Sequence, residues 1–200
     1  MKLNAAILCL FLSTCYISHA QTKAEPLVKW DAENKISWEN FNVKDTNDRF
    51  AAEANTFFKA NFYLKNDSVF CQVVTYLNAH RSWRKPFMKL DEYAIKHEQM
   101  HFDITEIFAR KIRKELIDSA VNEQGVEKIY FAHSKACREF QQLYDNETRH
   151  SLDKKHQEQW NKKIRKLLLS LNDYKERAIY IKNPWCKMCW KDAPVLARRR

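Results

Sequence analysis

The stretch Ile95-Lys96-His97-Glu98-Gln99-Met100-His101-Phe102-Asp103-Ile104-Thr105-Glu106-Ile107-Phe108-Ala109-Arg110-Lys111-Ile112-Arg113-Lys114-Glu115-Leu116 decides how the chain is read. Ile95, Met100, Ile104, Ile107, Phe108, Ile112 and Leu116 recur at the interval of a helix with one apolar face. The pattern predicts a helix from about Leu90 to Ser119, ending before Asn122-Glu123-Gln124-Gly125. Within it stands His97-Glu98-Gln99-Met100-His101, an HExxH sequence. Residues four apart on a helix sit about 40° apart around the axis and about 6 Å along it. Two imidazoles so placed can share one Zn²⁺, and the glutamate between them lies beside the metal without binding it. There it can take a proton from a water whose pKa the metal has lowered. His97 and His101 are therefore the candidate ligands and Glu98 the candidate base.

A catalytic zinc needs a third protein ligand and an open fourth position. Asp103 is about 200° round the helix from the metal face, better placed to hold a neighbouring group. The block Tyr144-Asp145-Asn146-Glu147-Thr148-Arg149-His150 offers Glu147 and His150 at i, i+3 on a second helix. His133 and His156 are lone histidines in polar settings and read as surface or packing residues.

Around this helix the chain divides in two. Before it, Leu27 to about Trp83 reads as strands. Ile36-Ser37-Trp38 alternates, Ala51 to Leu64 is aromatic-rich, and Val69 to Leu77 is β-branched and aromatic. Lys65-Asn66-Asp67-Ser68 is a turn signal joining the last two as an antiparallel pair. After it, Ile129, Ala132, Ala136, Phe140 and Leu143 predict a second helix, from about Val126 into the 140s. Trp160, Ile164, Leu167, Leu168 and Leu171 predict a third over about 157–172. Strands first and helices afterwards predict a single α+β domain.

Composition narrows the function. Of 200 residues one is glycine, Gly125, which excludes the glycine-rich loops that let a backbone approach a pyrophosphate. Lys2, the apolar run Ala5 to Ile17 and Ser18-His19-Ala20 read as an export signal cleaved near Ala20, too short to span a membrane, with a lipoprotein signal at Leu12-Ser13-Thr14-Cys15 as the lesser alternative. The organisation expected is 1–20 signal, 21–182 catalytic domain and 183–200 a basic, cysteine-containing tail. The net charge is +10. In an exported chain that balance suits anionic lipid, cell-wall polymer or acidic peptides rather than nucleic acid. The clusters Lys162-Lys163, Arg165-Lys166 and Arg198-Arg199-Arg200 read as a solvated helix face and a tail. Cys71, Cys137, Cys186 and Cys189 follow the signal and are disulfide candidates in an oxidising space, with three pairings open.

His97-Glu98-Gln99-Met100-His101-Phe102-Asp103-Ile104, with Glu106 and Ala109-Arg110, resembles the HEQxHFDI…E…AR block of a family of exported bacterial proteins described as zinc-dependent proteases and long catalogued as a domain of unknown function. Ile36-Ser37-Trp38 with Phe41, Arg81-Ser82-Trp83, and Tyr144-Asp145, Glu147-Thr148, His150, Gln159-Trp160 extend the likeness over about Lys35 to Leu171. The family often has glycine where this chain has Asn42 and Ser151. The resemblance implies a zincin-like α+β fold and a zinc metallopeptidase acting on peptides or proteins. It implies His97 and His101 as zinc ligands and Glu98 as base. It favours His150 as third ligand ahead of Glu147, with Asp145 orienting a ligand histidine. In such a mechanism Tyr144 is a candidate donor to the oxyanion. The alternative from another class is a non-catalytic exported zinc-binding or interaction module with the same ligands.

Overall fold

A computed structural model of the chain describes residues 26–44, 47–48, 50–65, 68–87, 92–119 and 123–182. The export signal and the Cys186/Cys189 pair lie outside the described residues. The elements run β1 (Leu27–Lys29), a 3-10 turn (Trp38–Asn40), β2 (Val43–Lys44), β3 (Ala52–Glu53), β4 (Thr56–Lys65), β5 (Ser68–Asn78), β6 (Trp83–Arg84), α1 (Glu92–Asp118), α2 (Glu123–Thr148), α3 (Lys154–Ser170), a second 3-10 turn (Asn172–Tyr174) and β7 (Ala178–Lys182). This is the α+β order that the change of period predicts, with two departures: β7 returns to the sheet after the helices, and Ile36-Ser37-Trp38, read as a strand from its alternation, instead leads into the 3-10 turn at Trp38–Asn40.

β5 is the spine of the main sheet. β4 pairs antiparallel along its whole length, with Phe62 opposite Cys71 and Phe58 opposite Thr75. The other edge of β5 is shared, β1 pairing near Tyr76 to Asn78 and β7 near Ser68 to Gln72, both antiparallel. A ribbon of two-residue strands, β2-β6-β3, stands beside it. Alternation decides which face is covered. Cys71, Val73, Thr75 and Leu77 of β5 point inward and are buried, together with Phe58 of β4 and Ile179 and Ile181 of β7. Phe58, Cys71, Val73, Ile179 and Ile181 meet Ile104, Ile107, Phe108, Ile112 and Leu116 of α1, with Cys137 and Tyr144 of α2 and Trp160 and Ile164 of α3 behind, while Leu77 packs with Trp30, Ile36, Phe41 and Phe102.

α1 has the sheet on one side and two helices on the other, so even its polar residues are buried and need partners. Asp103 accepts from Trp30 Nε1 and Gln99 Nε2, each at 2.8 Å, and Gln99 Oε1 accepts from Ile36 N at 2.9 Å. Burial raises the Asp103 pKa, and the two hydrogen bonds oppose that rise. Three residues on, Glu106 accepts from Arg110 Nε, Arg113 Nη2 and Thr75 Oγ1. These bonds tie the N-terminal strands to α1 and fix its position against the sheet. Two of the disulfide candidates, Cys71 and Cys137, are free and buried. Burial pushes the Cys71 thiol up to about 12 and raises Cys137 as well, so both behave as small apolar groups.

Candidate metal centre

His97, Glu98 and His101 lie on the turn of α1 that faces the end of α2, and all three are buried. The two rings stand 5.0 Å apart, nearly perpendicular. Each gives its Nδ1 to a glutamine oxygen. His97 Nδ1 bonds Gln157 Oε1 at 2.9 Å, from the first turns of α3. His101 Nδ1 bonds Gln141 Oε1 at 2.9 Å, from α2. An amide oxygen only accepts, so both rings donate from Nδ1, and a neutral ring then holds its lone pair on Nε2.

The glutamines are fixed in their turn. Gln157 Nε2 donates to Tyr144 Oη at 2.6 Å and Asn161 Oδ1 at 2.8 Å. Gln141 Nε2 reaches Thr105 Oγ1 at 3.1 Å and Cys137 Sγ at 3.5 Å. Tyr144, fully buried, stacks on His97 at 4.7 Å and donates to the His97 carbonyl oxygen at 3.2 Å. Its hydroxyl is thus a prop behind the histidines, which corrects the reading of Tyr144 as an oxyanion donor. Burial also pushes its pKa upward.

The two Nε2 atoms converge on one carboxylate. Asp145 Oδ1 lies 3.2 Å from His97 Nε2 and 2.9 Å from His101 Nε2. His97, His101 and Asp145 form the one group of possible ligand atoms gathered within 4.8 Å of one another among the described residues. A carboxylate oxygen accepts only, and two rings already donating from Nδ1 offer it lone pairs. The arrangement therefore requires an added positive charge, either a proton or a metal cation. Burial works against charge on His101, but the Asp145 carboxylate outweighs it and holds the pKa up at about 9. Burial would raise Asp145, but His101 and His97 outweigh it and hold the carboxyl well below its usual range. Two imidazoles with protonated Nδ1 and one carboxylate suit a divalent transition metal ion.

The residues weighed for third ligand are placed otherwise. Glu147 Oε2 accepts from Trp160 Nε1 at 2.7 Å. His150 stands at the rim, its Nδ1 3.6 Å from Asp145 Oδ1 and its ring stacked on Phe50 at 3.7 Å. Neither belongs to the converging group; the third donor is Asp145, one helical turn after Gln141 on α2. His133 pairs with Glu115, and His156 with Asp153 at the start of α3.

α2 ends just after Asp145 in a left-handed turn. Arg149 N bonds Asn146 O, His150 N bonds Asp145 O, and Arg149, His150 and Ser151 have φ of 52°, 50° and 70°. The first two bonds are a Schellman closure. Ser151, with its φ of 70°, bears the steric cost of a Cβ in this region.

A cleft of roughly 280 Å³ opens onto the group, lined by residues 50–54, Ala94, His97, Glu98, His101, Gln141, Asp145, His150 and Ser151. Glu98 is held in its wall by one bond: Ala54 N donates to Oε2 at 2.8 Å. Its carboxylate is not among the converging atoms.

No protein-family model matches this chain, and no curated protein or solved structure matches it.

Proposed function

We propose that this protein is an exported zinc-dependent metallopeptidase, with His97, His101 and Asp145 as ligands and Glu98 as general base. One observation carries the reading. Two imidazoles locked through Nδ1 turn Nε2 toward a shared carboxylate, and an unliganding glutamate shares the cleft with them. A zinc ion held there would polarise a scissile carbonyl and acidify a water in the open position.

The chain's own groups do the rest. Glu98, aimed by the Ala54 amide, takes a proton from the attacking water as its oxygen bonds to the carbonyl carbon. It returns that proton to the amine nitrogen as the C–N bond breaks. Gln157 and Gln141 keep both rings in one tautomer, and Tyr144 blocks His97 from rotating. Export rests on residues 1–20; no helix among the described residues is long and apolar enough to cross a membrane.

The test pairs metal analysis with cleavage of an unstructured protein substrate. The wild type is expected to hold one zinc and cleave. Glu98→Gln is expected to hold zinc and not cleave. Zinc without cleavage in the wild type would mean a binding module instead. Iron at the site would redirect the reading to oxygen chemistry, because two histidines and a carboxylate also hold ferrous iron.

A further inference from the structure

Apart from Lys2, the net charge of the chain is confined to two places. Residues 154–170, which are α3, carry six Lys/Arg against one Glu, and residues 183–200 carry five against one. Residues 21–153 and 171–182 together carry 23 of each sign. The domain body is balanced, and α3 stands out from it.

α3 turns Gln157, Trp160, Asn161 and Ile164 into the protein. All six of its cations are exposed. Lys155, Lys162 and Lys166 are spaced i, i+7, i+11, within about 40° of one line along the helix. That line is diametrically opposite the buried side. Among the described residues no α3 lysine or arginine enters an ion pair; Arg165 bonds the Asn161 carbonyl and Lys163 lies over the Trp160 ring. The face is about 25 Å long. Leu152 just before it and Leu169 at its end are 78% and 75% exposed.

We infer that this outward face of α3 is a docking surface for an anionic lipid bilayer. Each lysine or arginine held near such a surface strengthens binding by about fivefold. A straight, convex row of cations matches a flat layer of phosphates. Leu152 and Leu169 at the two ends suit shallow insertion between headgroups. A single-stranded nucleic acid would instead be met by a row of exposed rings, whereas on α3 Trp160 is buried and the one exposed ring, His156, is paired with Asp153. No residue lining the metal cleft comes from α3, so docking and the cleft use different side chains.

The experiment is co-sedimentation of the full chain with vesicles of equimolar phosphatidylglycerol and phosphatidylcholine, at low and high salt. Binding is expected at low salt and is expected to fall as salt rises. The triple variant Lys155→Gln, Lys162→Gln, Lys166→Gln should bind about a hundredfold more weakly, with an unchanged far-ultraviolet circular dichroism spectrum as proof of folding. Arg198→Gln, Arg199→Gln, Arg200→Gln should cost much less. Three results would overturn the proposal: wild-type binding by the α3 variant, equal binding to pure phosphatidylcholine, or tighter capture by duplex DNA than by the vesicles.

Discussion

Replacing Gln157 by leucine tests the support of the site without touching a ligand. The side chain is fully buried and of similar volume to leucine, so little cavity is created. Three polar partners lose their bonds: His97 Nδ1, Tyr144 Oη and Asn161 Oδ1. Each buried group left unpaired costs roughly 1–3 kcal/mol. Asn161 is not fully shielded and Tyr144 keeps its bond to the His97 carbonyl, so the lower end applies, about 3 kcal/mol in all. With Nδ1 released, His97 rotates and changes tautomer freely, and zinc affinity should fall about 10- to 100-fold. Gln157→Glu retains the acceptor for Nδ1, although it loses the two bonds that Nε2 donates to Tyr144 Oη and Asn161 Oδ1, and should keep zinc within a few-fold of wild type. Competition against a chromophoric chelator reads the affinity, and urea unfolding of the metal-free protein reads the stability. A folded Gln157→Leu protein with undiminished zinc affinity would refute the claim that Nδ1 anchoring organises the site.

Three further outcomes are expected. Asp145→Ala should weaken zinc binding by more than about 100-fold, beyond the cost of an outer partner. Glu147→Ala should leave it intact and lose only about 1 kcal/mol of stability through Trp160 Nε1; chelator competition on both variants separates the two carboxylates. In the metal-free protein the raised His101 pKa stabilises the fold fully below its unfolded value of 6.5, and this is lost as pH climbs through about 9. Urea titrations between those limits should show a loss of about 3 kcal/mol, absent in Asp145→Asn, while zinc affinity rises with pH over the same window as the displaced proton becomes easier to remove. Ser151→Gly should stabilise the protein by about 1 kcal/mol, because its φ of 70° is strained for a residue with Cβ; thermal melting measures it.

The site was half legible from sequence, for geometric reasons. His97, Glu98 and His101 sit in one helical segment, and helix geometry alone puts both imidazoles on one side. Asp145 lies 44 residues beyond His101, and no periodicity says which member of 145–150 will face it. The helix end decides. The Schellman turn carries His150 to the rim and leaves Asp145, one turn after Gln141, under the rings. Gln157 carries a signal of its own in the sequence: an uncharged polar residue on the same face as Trp160 and Ile164, where an apolar one is expected. β7 was missed because five residues of Ala-Ile-Tyr-Ile-Lys alternate too briefly to read as a strand, and their partner β5 lies more than a hundred residues earlier. The strand pair β4–β5 and all three helices followed from period and turn chemistry, since their contacts are local or strongly patterned. Asp103 was placed correctly off the metal face by its angular offset, and it holds Trp30 and Gln99 there.

X-ray absorption at the zinc edge, on protein purified without chelators, addresses the metal assignment most directly. The account predicts one zinc per chain with two imidazole nitrogens, one carboxylate oxygen and a further light-atom ligand, and loss of the signal in His101→Ala. Sulfur in the first coordination sphere, or a folded protein that takes up no zinc when it is supplied in excess, would contradict it.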